Sequence, residues 1–234
     1  MASIREMRST SPSNEPPAQR AWRSGWTVAI FLGIAILAAG SDLISKAAVF
    51  DWLLSRPQTV SKVQQIIDDP RVEVRSTPEF TRVVLQKAHI SDRVSWGLSF
   101  TLSTNPGVVF GFDRLPRWIV NVFTAAAVVI ILGLFAASPR GQTWLHVALA
   151  LILGGAAGNL YDRLFSCVAL PGLDTPICTH VRDFIDCSDV GYHWIFNLAD
   201  AWLVVGVIMI AIHWIREGYA EAKAKKKKEH EEHR

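Results

Sequence analysis

The stretch Phe-Asn-Leu-Ala-Asp-Ala-Trp-Leu-Val-Val-Gly-Val-Ile-Met-Ile-Ala-Ile-His-Trp-Ile, residues 196–215, decides the fold, because it joins a long apolar run to an acidic side chain. The run from Leu198 to Ile215 has 18 residues. A helix of that length crosses the bilayer hydrocarbon, which is about 30 Å thick, at about 1.5 Å per residue. Asp200 falls in its first turn, and a carboxylate in or beside lipid is costly and usually kept for function. The stretch therefore predicts a membrane span that carries a functional acid.

Three further windows have the same character, and half of the 234 residues are hydrophobic. They run from about residue 26 to 44, from 118 to 137 and from 144 to 161. Three of the four spans begin at a tryptophan, which favours the lipid–water interface. We do not expect the first span to be a removable signal peptide, because it is too long and ends in Asp42 and Lys46. The sequence predicts an all-α membrane protein with four transmembrane helices.

The charged residues predict how these helices are oriented. Seven Lys and Arg side chains follow the last span and four precede the first, so the positive-inside rule places both termini in the cytoplasm. Because the excess charge lies in the tails, it does not indicate nucleic-acid binding. The chain then divides into a disordered cytoplasmic tail (1–24), a four-helix membrane domain (25–215) with external segments 51–117 and 163–197, and a basic cytoplasmic tail (216–234).

The first external segment is expected to fold on the membrane surface. Apolar and small polar residues alternate strictly from Val94 to Ser103, which predicts a strand with one apolar face. Val60–Ile67 fits a short helix, whereas Arg71–Arg75 and Phe80–Leu85 are weaker strand candidates. We therefore expect a small extracytoplasmic sheet between the first and second spans. Its apolar face could rest on the bilayer, on a lipid ligand or on the helix ends.

The second external segment contains the three cysteines of the chain. Cys167 and Cys178 lie eleven residues apart around an irregular stretch with two prolines and a glycine. A disulfide is permitted outside the cytoplasmic membrane. Cys187 would then be left over, so the sequence leaves the pairing open.

Polar residues at the ends of the spans are few. Asp42 and Lys46 lie four residues apart on one helical face. They either form a local ion pair, with Lys46 extending to the interface, or Asp42 braces neighbouring elements. Asn159 and Asp162 share a face at the end of the third span. Arg163, which follows, could pair with Asp162 or orient a substrate carbonyl or phosphate.

Two aspartates complete this set. Asp183 lies in Val-Arg-Asp-Phe-Ile-Asp (181–186), and Asp200 follows 17 residues later, with Asn197 on the same helical face. If the third and fourth spans are antiparallel neighbours, both carboxylates lie at one depth and share one proton. The ionised member can then activate water while the protonated member binds a scissile carbonyl. A structural polar cluster and an ion pathway are the alternatives.

Other chemistries fit less well. The sequence has no His-Glu-x-x-His, no Gly-x-Ser-x-Gly, no phosphate-binding loop and no haem signature, so we expect neither a metal nor a cofactor. A non-enzymatic ion or proton carrier would need polar groups across the full membrane depth. Here the polar residues gather at the outer end, which favours an enzyme.

Five stretches, taken together and in this order, resemble the bacterial lipoprotein signal peptidases, or signal peptidase II. The resemblance covers the chain from about Asp42 to Ile215. Its motifs are Asp-Leu-Ile-Ser-Lys (42–46), Asn-Pro-Gly-Val-Val-Phe-Gly (105–111), Gly-Gly-Ala-Ala-Gly-Asn-Leu-Tyr-Asp-Arg (154–163), Val-Arg-Asp-Phe-Ile-Asp (181–186) and Phe-Asn-Leu-Ala-Asp (196–200).

The resemblance implies an aspartic endopeptidase of the bacterial cytoplasmic (inner) membrane that acts at the periplasmic face. It would remove the signal peptide of prolipoproteins just before a diacylglyceryl-modified cysteine. It also implies a small extracytoplasmic sheet, the cradle, and inhibition by the lipopeptide globomycin. Lipid-modified prolipoproteins and membrane phospholipid would be its partners, with no nucleic acid and with the protein as a monomer. The catalytic pair would be Asp183 and Asp200, supported by Asp42, Lys46, Asn105, Gly107, Asn159, Arg163 and Asn197.

The sequence departs from the family pattern at three places. Val108-Val109 replaces the usual Ala-Ala, which would narrow the substrate groove. The interval between Asp162 and Asp183 is longer than usual, and so is the segment 51–93. None of these departures changes the pair of aspartates, so they bear on substrate preference and loop geometry.

Overall fold

Four long helices form the frame of the computed structural model, which describes residues 20–73, 75–107 and 117–232. All four are long and apolar enough to cross a membrane, so the four predicted spans are confirmed as candidates. A small antiparallel sheet and two short helices complete the fold. In chain order the elements are α1 (Gly25–Leu54), α2 (Pro57–Ile67), α3 (Pro78–Ala88), β1 (Ser91–Ser95), β2 (Leu98–Asn105), α4 (Arg117–Ala137), α5 (Thr143–Phe165), β3 (Cys167–Val168), β4 (Ile177–Cys178), β5 (Val181–Cys187), β6 (Tyr192–Phe196) and α6 (Leu198–Glu232).

The helices extend beyond the apolar windows of the sequence. α1 continues ten residues past the predicted end at 44, and α6 continues through the basic segment to Glu232. Hydropathy marks where a helix leaves the lipid, but Ala, Lys and Glu are strong helix formers and let it continue. Much of the predicted tail, residues 1–19, lies outside the described residues. Its last part is ordered, because Ala21 is buried and its N–H donates to the Ser138 carbonyl at 2.9 Å.

Helix α5 lies at the centre of the helical frame and packs against α1, α4 and α6. Small residues allow this close approach. A Cβ atom at Gly154 would lie 2.6 Å from the Ala35 carbonyl of α1, and one at Gly155 would lie 2.5 Å from the Ala199 carbonyl of α6. Both distances are too short for a side chain. Glycine at these positions therefore sets the spacing of the three helices that carry most of the site.

The four-stranded sheet has the strand order β1-β2-β5-β6, and all neighbouring strands within it are antiparallel. β1 and β2 come from the segment between α1 and α4, but β5 and β6 come from the segment between α5 and α6. The prediction that the sheet lies wholly between the first two spans is therefore wrong for half of its strands. The pairing of Ser103 with Asp183 joins the two segments directly.

Four predictions for the first outer segment can be compared with the structure. The helix at Val60–Ile67 is confirmed by α2. Phe80–Leu85 lies in α3 and not in a strand, because Thr77 caps the helix and Pro78 begins it. The alternating run is a hairpin and not one strand, since Gly97 turns the chain with φ +75°. The described residues of 71–75 lie outside the strands.

The two long insertions fold onto each other. A buried apolar cluster includes Val63 of α2, Leu85 of α3 and Ile177 of β4, and the Thr81 hydroxyl donates to the Thr175 carbonyl at 2.6 Å. Cys167 and Cys178, which face each other across the β3–β4 pair, form a disulfide. Cys187 is a free thiol. The insertions and the disulfide therefore form one unit that packs beside the sheet.

The close approach of α5 and α6 can be tested at Gly155. We expect Gly155→Ala to lower the free energy of unfolding by about 1–3 kcal/mol, because the new methyl group meets backbone that cannot move aside. Gly133→Ala in α4 is the control, since a Cβ there would have no atom within 4 Å. Thermal unfolding in detergent micelles measures both. Equal shifts in Tm would show that helix spacing does not depend on Gly155.

Candidate active site

A buried lysine joins the helices at one end of the frame. Lys46 of α1 is fully buried and donates to Asp42 at 2.7 Å and to the Asn159 Oδ1 of α5 at 2.8 Å. Its Nζ also lies 3.2 Å from an Asp162 carboxylate oxygen. The local ion pair that the sequence allows is therefore present, and the lysine points into the protein and not to the interface. Gly158 makes room for the Asp42 carboxylate, because a Cβ at position 158 would lie 2.5 Å from that carboxylate.

The two carboxylates around Lys46 extend this network to neighbouring elements. Asp42 accepts a hydrogen bond from the backbone N–H of Ala199, in the first turn of α6, at 2.9 Å. Asp162 accepts from the backbone N–H of Arg182 at 3.0 Å and from its guanidinium at 2.7 Å. Asp42 thus braces α6, as one of the two sequence hypotheses requires. Asp162 fixes β5 one residue before Asp183.

Asp183 lies on the sheet, in β5, and only 3% of its surface is exposed. Asn197 Nδ2 donates to its carboxylate at 2.5 Å. Burial, and then the nearby charge of Asp200, raise the pKa of Asp183 from 3.8 to about 7. The Asp183 side chain is therefore a carboxyl group that can hold a proton near neutral pH.

Asp200 has a different environment, in the first turn of α6. Its carboxylate accepts a hydrogen bond from Asn159 Nδ2 at 2.9 Å and from the Asn197 N–H at 3.3 Å. The Asp200 N–H in turn donates to the Asn197 side chain at 3.1 Å, which caps the helix reciprocally. The positive end of a helix dipole favours negative charge in this turn.

Asn197 therefore bridges the two aspartates. Its side-chain amide donates to Asp183, while its backbone N–H and its amide oxygen both bind Asp200. Asn159 links Asp200 to Lys46 in the same way, since its oxygen accepts from the lysine and its nitrogen donates to the aspartate. Apart from Arg163, the predicted residues of α1, α5, β5 and α6 form one continuous hydrogen-bonded cluster.

The charges of the cluster do not balance if every group is ionised. Three cations face four carboxylates, so the cluster is neutral only when one carboxylate holds a proton. The buried carboxyl of Asp183, with its raised pKa, is the group best suited to hold it. The members of the cluster are Lys46, Arg163 and Arg182 on one side and Asp42, Asp162, Asp183 and Asp200 on the other.

The remaining predicted residues lie at the end of β2, and Gly107 is next to Val120 of α4. Asn105 ends β2, and its side-chain oxygen accepts from the Gly107 N–H at 2.9 Å. Gly107 adopts φ +96°, and a Cβ there would lie 3.4 Å from Val120 and 3.8 Å from Arg163 Nε. The positive φ of Gly107 therefore favours glycine at this turn, whereas a Cβ would make only ordinary van der Waals contacts. The Val108-Val109 departure lies outside the described residues.

The structure bears on one of the two hypotheses for Arg163, its pairing with Asp162. Asp162 forms ion pairs with Lys46 and with Arg182. The next residue in the chain, Arg163, is not a partner in these ion pairs. Arg163 instead lines a cavity of about 280 Å³, and its buried Nε has no hydrogen-bond partner among the residues that the structure describes. It is close enough to both Asp183 and Asp200 to be influenced by their charges.

Two residues of the site were missed in the sequence. Arg182 precedes Asp183 in the quoted motif, and this position beside a buried acid was a usable signal. Asn121 is a polar residue near the start of an apolar span and lines the same cavity as Arg163. Within the described ranges, no group of three His, Cys, Asp or Glu side chains is placed to hold a metal ion.

The site therefore holds two carboxyl groups that are bridged by Asn197 and lie in unequal environments. This arrangement is suited to general acid–base chemistry on a water molecule. Donors from two asparagines keep the carboxyl groups in place, and the cation of Arg163 is available for a substrate oxygen. The cluster lies at one end of the helical frame and not along its full length.

The chain is similar to a known family of membrane peptidases. A family model described as signal peptidase (SPase) II, Peptidase_A8, matches residues 34–216. A lipoprotein signal peptidase of Rhodopirellula baltica is 33% identical over 186 residues, which cover 79% of this chain and 70% of that protein. One from Pseudomonas aeruginosa PAO1 is 38% identical over 136 residues, covering 54% of this chain and 69% of its own.

A solved structure of a bacterial membrane enzyme superposes with a TM-score of 0.54 at 21% identity, over 82% of this chain and 90% of that chain. This likeness concerns the fold. The family match covers α4 and α5, most of α1, the first part of α6 and all the residues of the buried cluster. The chain therefore belongs to the signal peptidase II family of membrane peptidases.

Proposed function

We propose that this protein removes the signal peptide of prolipoproteins by aspartic catalysis, with Asp183 and Asp200 as the catalytic residues. The observation that carries the proposal is the pair of carboxyl groups bridged by Asn197, one buried in the sheet and one at a helix N-terminus. Membership of the signal peptidase II family supports the substrate class.

In the proposed reaction, the two carboxyl groups take opposite roles. Asp200, ionised at the start of α6, accepts a proton from water, and the resulting hydroxide equivalent attacks the scissile carbonyl carbon. Asp183, which holds a proton, donates a hydrogen bond to the carbonyl oxygen as negative charge develops there. Collapse of the tetrahedral intermediate breaks the C–N bond, and the proton taken up by Asp200 passes to the leaving amine.

The supporting residues would maintain this geometry. Asn159 and Asn197 hold the carboxyl groups, and Lys46 with Asp42 fixes the helices that carry them. We infer that cleavage occurs just before a diacylglyceryl-modified cysteine. Acyl chains buried in the bilayer fix the depth of that cysteine, and hence bring the adjacent peptide bond to the depth of the site.

The orientation in the membrane is part of the proposal. The seven basic residues after the last span and the four before the first support cytoplasmic termini. The active site would then lie at the extracytoplasmic face of the bacterial inner membrane, where water has access. The partners would be lipidated prolipoproteins and membrane phospholipid, and the enzyme would act as a monomer.

The alternative of an ion or proton carrier has less support. A carrier needs polar groups through the full thickness of the bilayer. The charged residues buried in this structure, among the described ranges, all belong to the cluster at one end of the helices. A peptidase requires a polar cluster only at the depth where the peptide bond is cleaved.

Substitution of either catalytic aspartate tests the mechanism. We expect Asp183→Asn and Asp200→Asn each to reduce cleavage of a diacylglyceryl prolipoprotein at least about a hundredfold, since general acid–base groups contribute about 10²–10⁴-fold. The control is Asp186→Asn, in the same strand, whose carboxylate binds Ser188 and Thr101. Purified variants are compared by gel shift of the substrate. Retained cleavage in either active-site variant would refute the dyad.

The lipid requirement is tested with one precursor in two forms. We expect the diacylglyceryl form to be cleaved and the unmodified form to be cleaved at least about tenfold more slowly, because it lacks the group that fixes its depth. Both forms are assayed with the same enzyme in mixed micelles. Mass spectrometry of the product locates the cut. Equal rates for the two forms would contradict lipid-dependent positioning.

The pH dependence follows from the raised pKa of Asp183. Below about pH 7 the carboxyl holds its proton and can assist the carbonyl. As the pH rises through about 7 it ionises, so we expect kcat/KM to fall on the alkaline side. A pH–rate profile measures this, with Asp186→Asn expected to give the same profile. Activity that keeps rising at alkaline pH would show that Asp183 is not the protonated member.

A further inference from the structure

We propose that Asn121 and Arg163 together bind one backbone peptide unit of the substrate, in a subsite beside the catalytic pair. The inference rests on the proposed function and adds Asn121, which the predicted site residues do not include, as a substrate contact. The subsite is the cavity of about 280 Å³ lined by Pro106, Asn121, Arg163, Leu164 and Thr179.

The first observation is that two buried polar atoms in this cavity are unsatisfied. Asn121 Oδ1 and Arg163 Nε have almost no solvent-exposed surface and no hydrogen-bond partner among the described residues. Buried polar atoms nearly always have a partner, so an unsatisfied pair in one cavity calls for an explanation. One of these atoms is an acceptor and the other is a donor.

The location of the cavity connects it to the reaction. Arg163 lines the cavity and lies close enough to Asp200 and Asp183 to be influenced by their charges. Gly107 lies between Arg163 and Val120, the residue before Asn121, and a side chain at 107 would meet both.

The chemistry of the two atoms selects the ligand. A phosphate group offers only acceptors, so it would leave Asn121 Oδ1 without a partner, and it would be repelled by the neighbouring carboxylates. An acyl chain would leave both polar atoms unsatisfied. A peptide unit is neutral and presents one carbonyl oxygen and one N–H, which match Arg163 Nε and Asn121 Oδ1.

This contact acts in binding and not in bond cleavage. The peptide unit would be held before and during the reaction, so its hydrogen bonds stabilise the bound substrate and the transition state equally. Loss of such a contact raises KM and leaves kcat nearly unchanged. Asn121 is therefore a substrate-binding residue, in contrast to the residues that change protonation.

The first experiment compares Asn121→Ala with Val122→Ala. Val122 is the next residue of α4 and is 58% exposed, so its truncation leaves the cavity unchanged. With a diacylglyceryl lipopeptide substrate, we expect Asn121→Ala to raise KM about 3- to 10-fold at nearly constant kcat, as for the loss of one hydrogen bond. Asn121→Asp should raise KM further, because its carboxylate would pair with Arg163. The Tm of each variant is measured in parallel.

The second experiment identifies the group that Asn121 binds. In a series of lipopeptides, one backbone amide at a time outside the scissile bond is replaced by an ester, which removes an N–H. At one position the ester should raise KM for the wild type and for Val122→Ala, but not further for Asn121→Ala. This coupling would not appear if Asn121 had only a structural role.

The outcomes separate the two proposals. Suppose that the wild type cleaves the lipopeptide. The subsite is then refuted if Asn121→Ala leaves KM unchanged, or if the effects of the ester and of Asn121→Ala on KM simply multiply at every position. Neither result would contradict the catalytic role of Asp183 and Asp200. If the wild type does not cleave the lipopeptide, the proposed function fails and the subsite falls with it. A rise in KM with coupling at one amide supports both.

Discussion

The fold of the site depends on one buried ammonium group. Lys46 is fully buried between Asp42, Asn159 and Asp162, and each of these partners holds a further element in place. Removal of one member of a buried ion pair typically costs about 3–5 kcal/mol, because the remaining charge is left without compensation. The elements cannot move independently without such a loss. Lys46 therefore fixes α1, α5, β5 and the start of α6 relative to one another.

Much of this arrangement could be predicted from the sequence, because lipid leaves few explanations for a charged residue in a span. Asp42, Lys46, Asn159, Asp183, Asn197 and Asp200 all belong to the cluster. The partner of Asp162 was not predictable, since its neighbour Arg163 and the distant Arg182 have the same charge. Only the pairing of β5 with β2, and the backbone N–H that β5 presents to α5, brings Arg182 to Asp162.

The sheet shows where sequence patterns are insufficient. The alternation from Val94 to Ser103 has the same period on both sides of Gly97, so it did not reveal that the chain turns there. The pairing of Ser103 with Asp183 joins residues 80 positions apart, and no local pattern indicates such a register. Burial of Phe184 in the apolar cluster and of Asp183 against Asn197 selects it. The sequence therefore indicates strands more readily than their partners.

The unequal surroundings of the two aspartates have a chemical consequence. Two identical side chains can take different roles only if their environments separate the energies of their protonation states. Here the separation comes from secondary structure: Asp200 is near the N–H groups that begin a helix, whereas Asp183 lies buried on a strand. Asn197 donates to both and keeps them together. The division between acid and base in the proposed reaction is thus built into the junction of β6 and α6 with the neighbouring strand β5.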